Sequence, residues 1–284
     1  DQVVVLRDGE MVGRLDKNEI EEQRIINMMV GREINDLFAK EEAEISDIAL
    51  EVKNLNTDFL KDINFHVRKG EILGFAGLVG AGRSEVMRAV FGIDSKESGE
   101  IYINGEKVEI KSTVDALKYG IGYVPENRQE QGLVLGMTVR ENISLPELRN
   151  ISRYDFIDKR KEKDLAEKYI DELNIRTPSQ EQRVRNLSGG NQQKVVISKW
   201  MATKPKILIL DEPTRGIDVG AKKEIHMLMS QLAKEGVAVI MISSELPEIL
   251  GMSDRIIVMH EGRIKGELMR EEASQEAIMK LAIS

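Results

Sequence analysis

The sequence predicts an α/β protein built on a mostly parallel sheet. Three observations carry that prediction. Continuous apolar runs at residues 72–76, 207–210, 237–242 and 256–259 are separated by helical stretches, the pattern of strands buried on both faces. Shorter runs that alternate apolar with polar, at residues 48–52, 63–67 and 100–104, read as half-exposed strands of an antiparallel sheet. A charged block at residues 138–173 is mostly helical by pattern and reads as a lobe inserted into the core.

Taken in chain order, the N-terminal segment is a near-copy of the C-terminal one. Asp1, Val5, Gly9, Gly13, Leu15, Glu19 and Ile25 align with Asp254, Val258, Gly262, Gly266, Leu268, Glu272 and Ile278 at a constant offset of 254 − 1 = 253. Each copy reads as a strand, a turn at Asp8-Gly9 or Glu261-Gly262, a second strand and a helix. Asp-Gly between apolar runs is a hairpin signal. A repeat of that period is a whole domain, not a solenoid unit. Residues 1–31 are therefore expected to be the tail of a preceding homologous domain, residues 32–47 a connector marked by the charge cluster 40–44, and residues 48–284 a second domain. Within it the alternating strands come first, residue 104 opening an Asn104-Gly105 turn. The buried run 72–76 follows, then a glycine-rich loop and a helix over about 84–91. The helical subdomain occupies about 135–190.

Composition narrows the function. At 284 residues the chain holds one large domain or two small ones. A net charge of −8 argues against nucleic-acid binding over the whole surface, leaving local basic patches open. With no cysteine there is neither a disulfide nor a thiolate metal site. His66, His226 and His260 have no metal-ligand spacing and read as surface or satisfied core. No apolar run approaches the roughly 20 residues of a membrane span. The chain begins without Met and shows no signal peptide, so membrane association would go through a partner.

Chemistry concentrates in four places. Gly77-Leu78-Val79-Gly80-Ala81-Gly82-Arg83-Ser84 fits the phosphate-loop pattern at every position except its lysine, which is Arg83. A buried strand precedes it and a helix follows. Gly77, Gly80, Ala81, Gly82 and Glu85 belong to the cradle, whose backbone N–H groups and helix dipole suit phosphate oxygens. Arginine keeps lysine's charge but is planar and directional, so it would hold phosphate in a different place. Asp211 follows four large aliphatics and so closes a buried strand, where α/β proteins place ligands. The other two places are Tyr123-Val124-Pro125-Glu126-Asn127-Arg128 and Leu187-Ser188-Gly189-Gly190-Asn191-Gln192-Gln193-Lys194.

With Asp211-Glu212-Pro213-Thr214-Arg215-Gly216-Ile217-Asp218-Val219-Gly220, these motifs resemble the C-terminal nucleotide-binding domain of a duplicated ABC ATPase of bacterial sugar importers, the ribose, galactose or xylose type. The resemblance spans essentially the whole chain. It implies an ABC-type ATPase domain with a RecA-like, mostly parallel core, an antiparallel β subdomain and a helical subdomain. It implies ATP and Mg²⁺ as ligands, with Ser84 and Asp211 on the metal and Glu212 polarising the attacking water. Ser188, Gly189, Gly190 and Asn191 would close over the ATP of a facing domain, and Asp218 would lie in the loop crossing between the pair. Phe59 is the nearest counterpart of the aromatic that stacks on adenine. Trp200, just after the signature helix, reads as core.

Three positions depart from the hydrolytic pattern of that family. Arg83 replaces lysine. Glu126 replaces a glutamine and would put a carboxylate beside phosphate unless protonated or turned away. Ser244 replaces a histidine and cannot supply its charge. Phosphoryl transfer depends on positioning and charge at such places. The expectation is a domain whose own site turns ATP over slowly or not at all, while its signature loop completes the site of the N-terminal ABC domain of the same protein. The resemblance further implies permease subunits, indirectly a sugar-binding protein, no nucleic acid, and a peripheral location on the cytoplasmic face of the inner membrane. Soluble ABC-type ATPases that act on ribosomes or DNA share the core motifs. The acidic balance and the lack of a long coiled-coil insertion or basic arm weigh against that alternative. A regulatory nucleotide sensor is a third reading.

Overall fold

Strands that are apolar at every position need cover on both faces, and this requirement organises the molecule. The computed structural model describes residues 2–7, 10–16, 38, 40–154 and 156–283. Strands β1 (Gln2–Arg7) and β2 (Glu10–Asp16) form an antiparallel hairpin. A four-stranded antiparallel sheet follows in the order β4-β3-β6-β7, from β3 (Ile48–Asn56), β4 (Ile63–Arg68), β6 (Ser98–Ile103) and β7 (Glu106–Val108). Between its members run β5 (Ile72–Gly77) and α1 (Arg83–Val90). Then come α2 (Thr113–Lys118) and β8 (Ile121–Val124).

The helical lobe contains α3 (Val139–Ser144), α4 (Leu148–Ile151), a small hairpin of β9 (Ser152–Arg153) and β10 (Phe156–Ile157), and α5 (Lys159–Glu172). Local chemistry fixes its helix starts. Thr138 and Glu141 form a reciprocal capping box on α3, and Asp158 accepts from Arg160 N and Lys161 N at the start of α5. The chain returns to the core through α6 (Gly189–Met201), β11 (Ile207–Asp211), α7 (Val219–Lys234), β12 (Ala238–Ile242), α8 (Leu246–Met252), β13 (Arg255–His260), β14 (Arg263–Met269) and α9 (Gln275–Ala282).

The central sheet has six strands in the order β14-β13-β5-β12-β11-β8. All neighbours are parallel except β14, which returns antiparallel to β13. Period-two alternation divides the buried strands between two layers. Leu73, Phe75, Ile207, Ile209, Ile240 and Ile242 face Val86, Met87 and Val90 of α1 and the antiparallel sheet. Ile72, Ala76, Leu208, Leu210, Val239 and Met241 face the opposite layer, with Val195 and Val196 of α6, Met229 of α7 and Ile249 of α8. The carboxyl ends of β5, β12, β11 and β8 therefore emerge side by side. The loops that leave them carry the sequence-predicted site.

The predicted α/β class with a mostly parallel sheet is borne out. Three details differ from the sequence expectation. The 138–173 block is not continuously helical, because the β9–β10 hairpin interrupts it. The edge strand β8, only four residues long, was not singled out. Trp200 lies inside α6 rather than after it, edge-on to Phe91 at 5.5 Å between ring centroids.

The described part of the predicted connector is packed against the body. Phe38 lies 5.4 Å from the His226 ring, and a Cβ on Gly251 would fall 2.4 Å from the Phe38 ring. Lys40 donates to Met252 O at 3.0 Å and pairs with Asp254. The helix expected within residues 17–31 lies outside the described residues. The two repeat hairpins match in register as well as in sequence. Val5 pairs with Gly13 and the register then shifts before Leu6; Val258 pairs with Gly266 and shifts before Met259. Both events fall at the same offset of 258 − 5 = 253.

Candidate functional site

The glycine-rich loop leaves β5 with φ of 153° at Gly77, 80° at Gly80 and 102° at Gly82, conformations that side chains rarely adopt. Two of these glycines also lack room for a side chain. A Cβ at Gly77 would sit 2.5 Å from Met259 O, and one at Gly82 would sit 3.0 Å from Leu60 and 3.1 Å from the Phe59 ring. Nothing lies within 4 Å of a Cβ at Gly80, which faces the opening. The loop thus curls over the N-terminus of α1, a phosphate-sized cradle. Phe59 stands partly exposed beside it, where a base could stack.

Gly80, Ala81, Gly82, Arg83, Ser84, Glu85, Glu126, Glu212 and Ser244 line one cavity, together with Val79 and Arg215. Asp211 lies behind Ser84, 1% exposed. Ser84 donates to Asp211 Oδ1 at 3.0 Å, and Tyr123 donates to Asp211 Oδ2 at 2.9 Å. Burial pushes the Asp211 carboxyl up to about 6, against the downward pull of those two hydroxyls. Burial, with Asp211 beside it, also raises Tyr123 far above the ordinary phenol range. Hydroxyl and carboxylate oxygens at the foot of a phosphate cradle suit Mg²⁺, which takes one or two protein ligands and completes its shell with water and phosphate. Among the described residues, no three or more His, Cys, Asp or Glu side chains are grouped to hold a metal by themselves.

Arg83 lines this cavity, but its guanidinium is tied to groups at the cavity wall. Its guanidinium is buried and donates from Nη1 to Ser243 O at 2.7 Å, with Nη2 3.8 Å from Glu212 Oε1. Glu212 itself sits in the left-handed region at φ 49°, and accepts from Ser244 Oγ at 3.1 Å. Its two oxygens therefore face Arg83 and Ser244. Behind Ser243, a buried set continues: Ser243 Oγ donates to Glu248, which meets His226 Nε2 at 2.6 Å. Burial works to raise the Glu248 carboxyl, but the bonds from His226, Ser243 and Thr214 outweigh it and hold the carboxyl below the usual range.

Glu126 is ion-paired with Arg215, so its charge is met by a cation and not left facing the cradle. The backbone of that partner is pinned, because Arg128 donates to Arg215 O at 2.7 Å and to Gly216 O at 3.1 Å. Arg215, Arg128 and Tyr123 stood in the quoted motifs without a role. The signal available was position: Tyr123 lies near the carboxyl end of β8, and Arg128 and Arg215 follow β8 and β11, strands whose carboxyl ends open at the site.

Ser188, Gly190 and Asn191 line a second cavity, with Arg176, Lys194, Asp218, Gly220, Ala221 and Glu224, and it shares no residue with the first. Ser188 is the N-cap residue of α6, and its hydroxyl makes no capping bond; it accepts from Asn191 Nδ2 at 2.9 Å. Gly189 begins α6 against Arg128, whose Nη2 would lie 2.9 Å from a Cβ there. Gly190 allows α6 to close on α7, because a Cβ would meet that of Ala221 at 2.7 Å. Asp218 caps α7 through Ala221 N.

A family model described as "ABC transporter" matches residues 60–215. The ribose import ATP-binding protein RbsA of Streptococcus agalactiae serotype III (strain NEM316) is 50% identical over 99% of this chain and 57% of its own length. The protein of the same name from Bacillus subtilis (strain 168) is 51% identical over the same shares. The chain thus spans little more than half the length of these relatives. Among solved structures, the ADP conformation of MJ1267, an ATP-binding cassette of an ABC transporter, superposes with a TM-score of 0.72 at 24% identity, covering 84% of this chain and all of that one. The structure of cbiO1 from Clostridium perfringens, part of the ABC transporter complex cbiONQ, gives 0.68 at 25% identity over 84% of this chain and 96% of that one.

Proposed function

Since the chain belongs to the ABC transporter family, we propose that it is the ATP-binding half of a sugar importer, with a degenerate site of its own. The direction of Arg83 carries this reading. Its guanidinium is spent on Ser243 O and Glu212, so the loop offers phosphate its backbone and Ser84 but no cation from that position. Glu212, which would orient an attacking water, faces Arg83 and Ser244. Ser84 and Asp211 would hold Mg²⁺, whose charge would draw together the terminal phosphate oxygens. The chain can bind Mg-ATP this way while lacking the groups that drive turnover.

The second cavity supports the other half of the reading. The uncapped Ser188 hydroxyl and the start of α6 face outward on a surface separate from the first site. They suit the terminal phosphate of a nucleotide held by a facing domain. The register match between the β1–β2 and β13–β14 hairpins supports a preceding sister domain as that partner. Its ATP would be the one hydrolysed quickly. Permease subunits, and through them a sugar-binding protein, complete the assembly. No helix among the described residues is long and apolar enough to cross a membrane, so attachment to the cytoplasmic face of the inner membrane would run through the permease. The relatives' ribose import favours a pentose or a similar sugar as cargo.

The test is Mg-ATP binding and turnover by this chain, beside Arg83→Lys. The expected result is binding with little turnover, and tighter binding in the lysine variant, whose shorter-range ties release it toward the phosphates. Rapid turnover by the unaltered chain refutes the degenerate site.

A further inference from the structure

We propose that Arg215 supplies the cation that Arg83 withholds, by exchanging Glu126 for the terminal phosphate of a nucleotide held by Gly80–Ser84. The inference rests on the nucleotide-binding reading above and assigns a residue to it. Two arginines border the phosphate cavity. Arg83 is buried and committed to Ser243 O and Glu212. Arg215 is its opposite in each respect. Its side chain is 65% exposed, its guanidinium is paired with a single carboxylate that lines the same cavity, and only its backbone is fixed, by Arg128.

An exposed ion pair contributes little, so exchanging its carboxylate for phosphate costs little. The exchange is favourable because a phosphate carries more charge than a carboxylate and accepts a guanidinium in bidentate fashion. Glu126 opposes this exchange in two ways: it holds Arg215, and once Arg215 leaves, its carboxylate faces the phosphate with its charge unmet. In the absence of nucleotide, Glu126 keeps that guanidinium at the cavity wall; when phosphate enters, Arg215 changes partners. The charge missing from position 83 is thereby carried by the loop after Asp211-Glu212.

The experiment is a calorimetric titration of the chain with Mg-ATP and Mg-ADP, using the unaltered protein, Arg215→Gln, Glu126→Gln and the double variant. Loss of a charge-assisted contact to phosphate is expected to weaken ATP by about tenfold to a hundredfold in Arg215→Gln, and ADP by less. Glu126→Gln frees Arg215 and is expected to tighten ATP. The part of that gain that acts through Arg215 disappears in the double variant, so the gain is smaller there. Thermal midpoints should not move, because both side chains are exposed. Arg215→Gln binding ATP as tightly as the unaltered chain, or a Glu126→Gln gain as large in the double variant as in the single one, overturns the assignment and leaves nucleotide binding standing. Failure of the unaltered chain to bind ATP overturns both.

Discussion

Asp211→Asn should stabilise the nucleotide-free chain while removing its response to Mg-ATP. On folding, the Asp211 carboxyl rises from 3.8 to about 6, chiefly by burial. At about 1.36 kcal/mol per pKa unit, the ionised form costs the folded state about 3 kcal/mol at neutral pH. The sign follows from proton counting. The folded chain holds a proton that the unfolded chain has released between pH 3.8 and about 6, so this contribution is fully favourable below 3.8 and is lost as pH rises through 6. Asparagine carries no charge and avoids the cost. It offers one acceptor where Ser84 and Tyr123 now donate to two oxygens, so one hydroxyl must reverse, at about 1 kcal/mol. The net gain at pH 7.5 is about 1–2 kcal/mol, or a melting temperature higher by about 2–3 °C. Differential scanning calorimetry at pH 7.5 and pH 4.5 reads it directly. At pH 4.5 the folded carboxyl is already protonated, and the gain should shrink to near zero. Mg-ATP should raise the melting temperature of the parent chain but not that of the variant. A variant that is destabilised equally at both pH values would falsify burial as the dominant influence on Asp211.

Other consequences can be checked independently. Mg-ATP affinity should fall as pH drops through about 6, because Asp211 must be ionised to hold the metal; a flat profile from pH 7.5 to 5 in calorimetric titrations contradicts its assignment. Arg255→Met leaves Glu71, which pairs with it at 2.7 Å, buried without its counter-charge and should cost about 3–5 kcal/mol in urea unfolding; adding Glu71→Gln should recover part of the loss. Gly82→Ala imposes a side chain at φ 102° and presses on Leu60 and Phe59, a cost of about 1–2 kcal/mol, and should weaken ATP binding beyond any loss of stability.

Backbone features were the most legible part of this chain. Buried strands announced themselves because parallel strands covered on both faces must be apolar at every position. The turns at Asn104-Gly105 and Glu261-Gly262 are visible through their glycines and Asn104, types that favour positive φ; Glu261 adopts φ 43° without that preference. β8 escaped notice because Ile-Gly-Tyr-Val is short and its glycine breaks the apolar run. The site was legible in its membership and less so in its wiring. Glu126 and Arg215 lie 89 residues apart, and nothing local to either says that adjacent strand ends bring them together. Nor does a pattern match at position 83 reveal direction. Arginine's longer, forked head reaches Ser243 O across the strand ends, a contact set by β5 and β12 being neighbours.

The two candidate nucleotide surfaces share no lining residue, yet they are joined through one loop. Residues 125–138 lead into the helical lobe, and α6 brings the chain back. Arg128, in that outgoing loop, donates to Arg215 O and Gly216 O beside the phosphate cavity and packs on Gly189 at the start of α6. Gln129 donates to Gln192 Oε1 at 3.0 Å one turn along the same helix. A shift of the 215–216 loop therefore either carries the start of α6 with it or breaks bonds from a charged donor, each worth about 1.5–3 kcal/mol. Glycine at 189 matters for the same reason, since any larger residue would push Arg128 off those carbonyls. The departures at positions 83 and 126 change the chemistry of the first cavity but leave this tie between the cavities intact. A ligand in the first cavity that moves the 215–216 loop would therefore be felt at the start of α6.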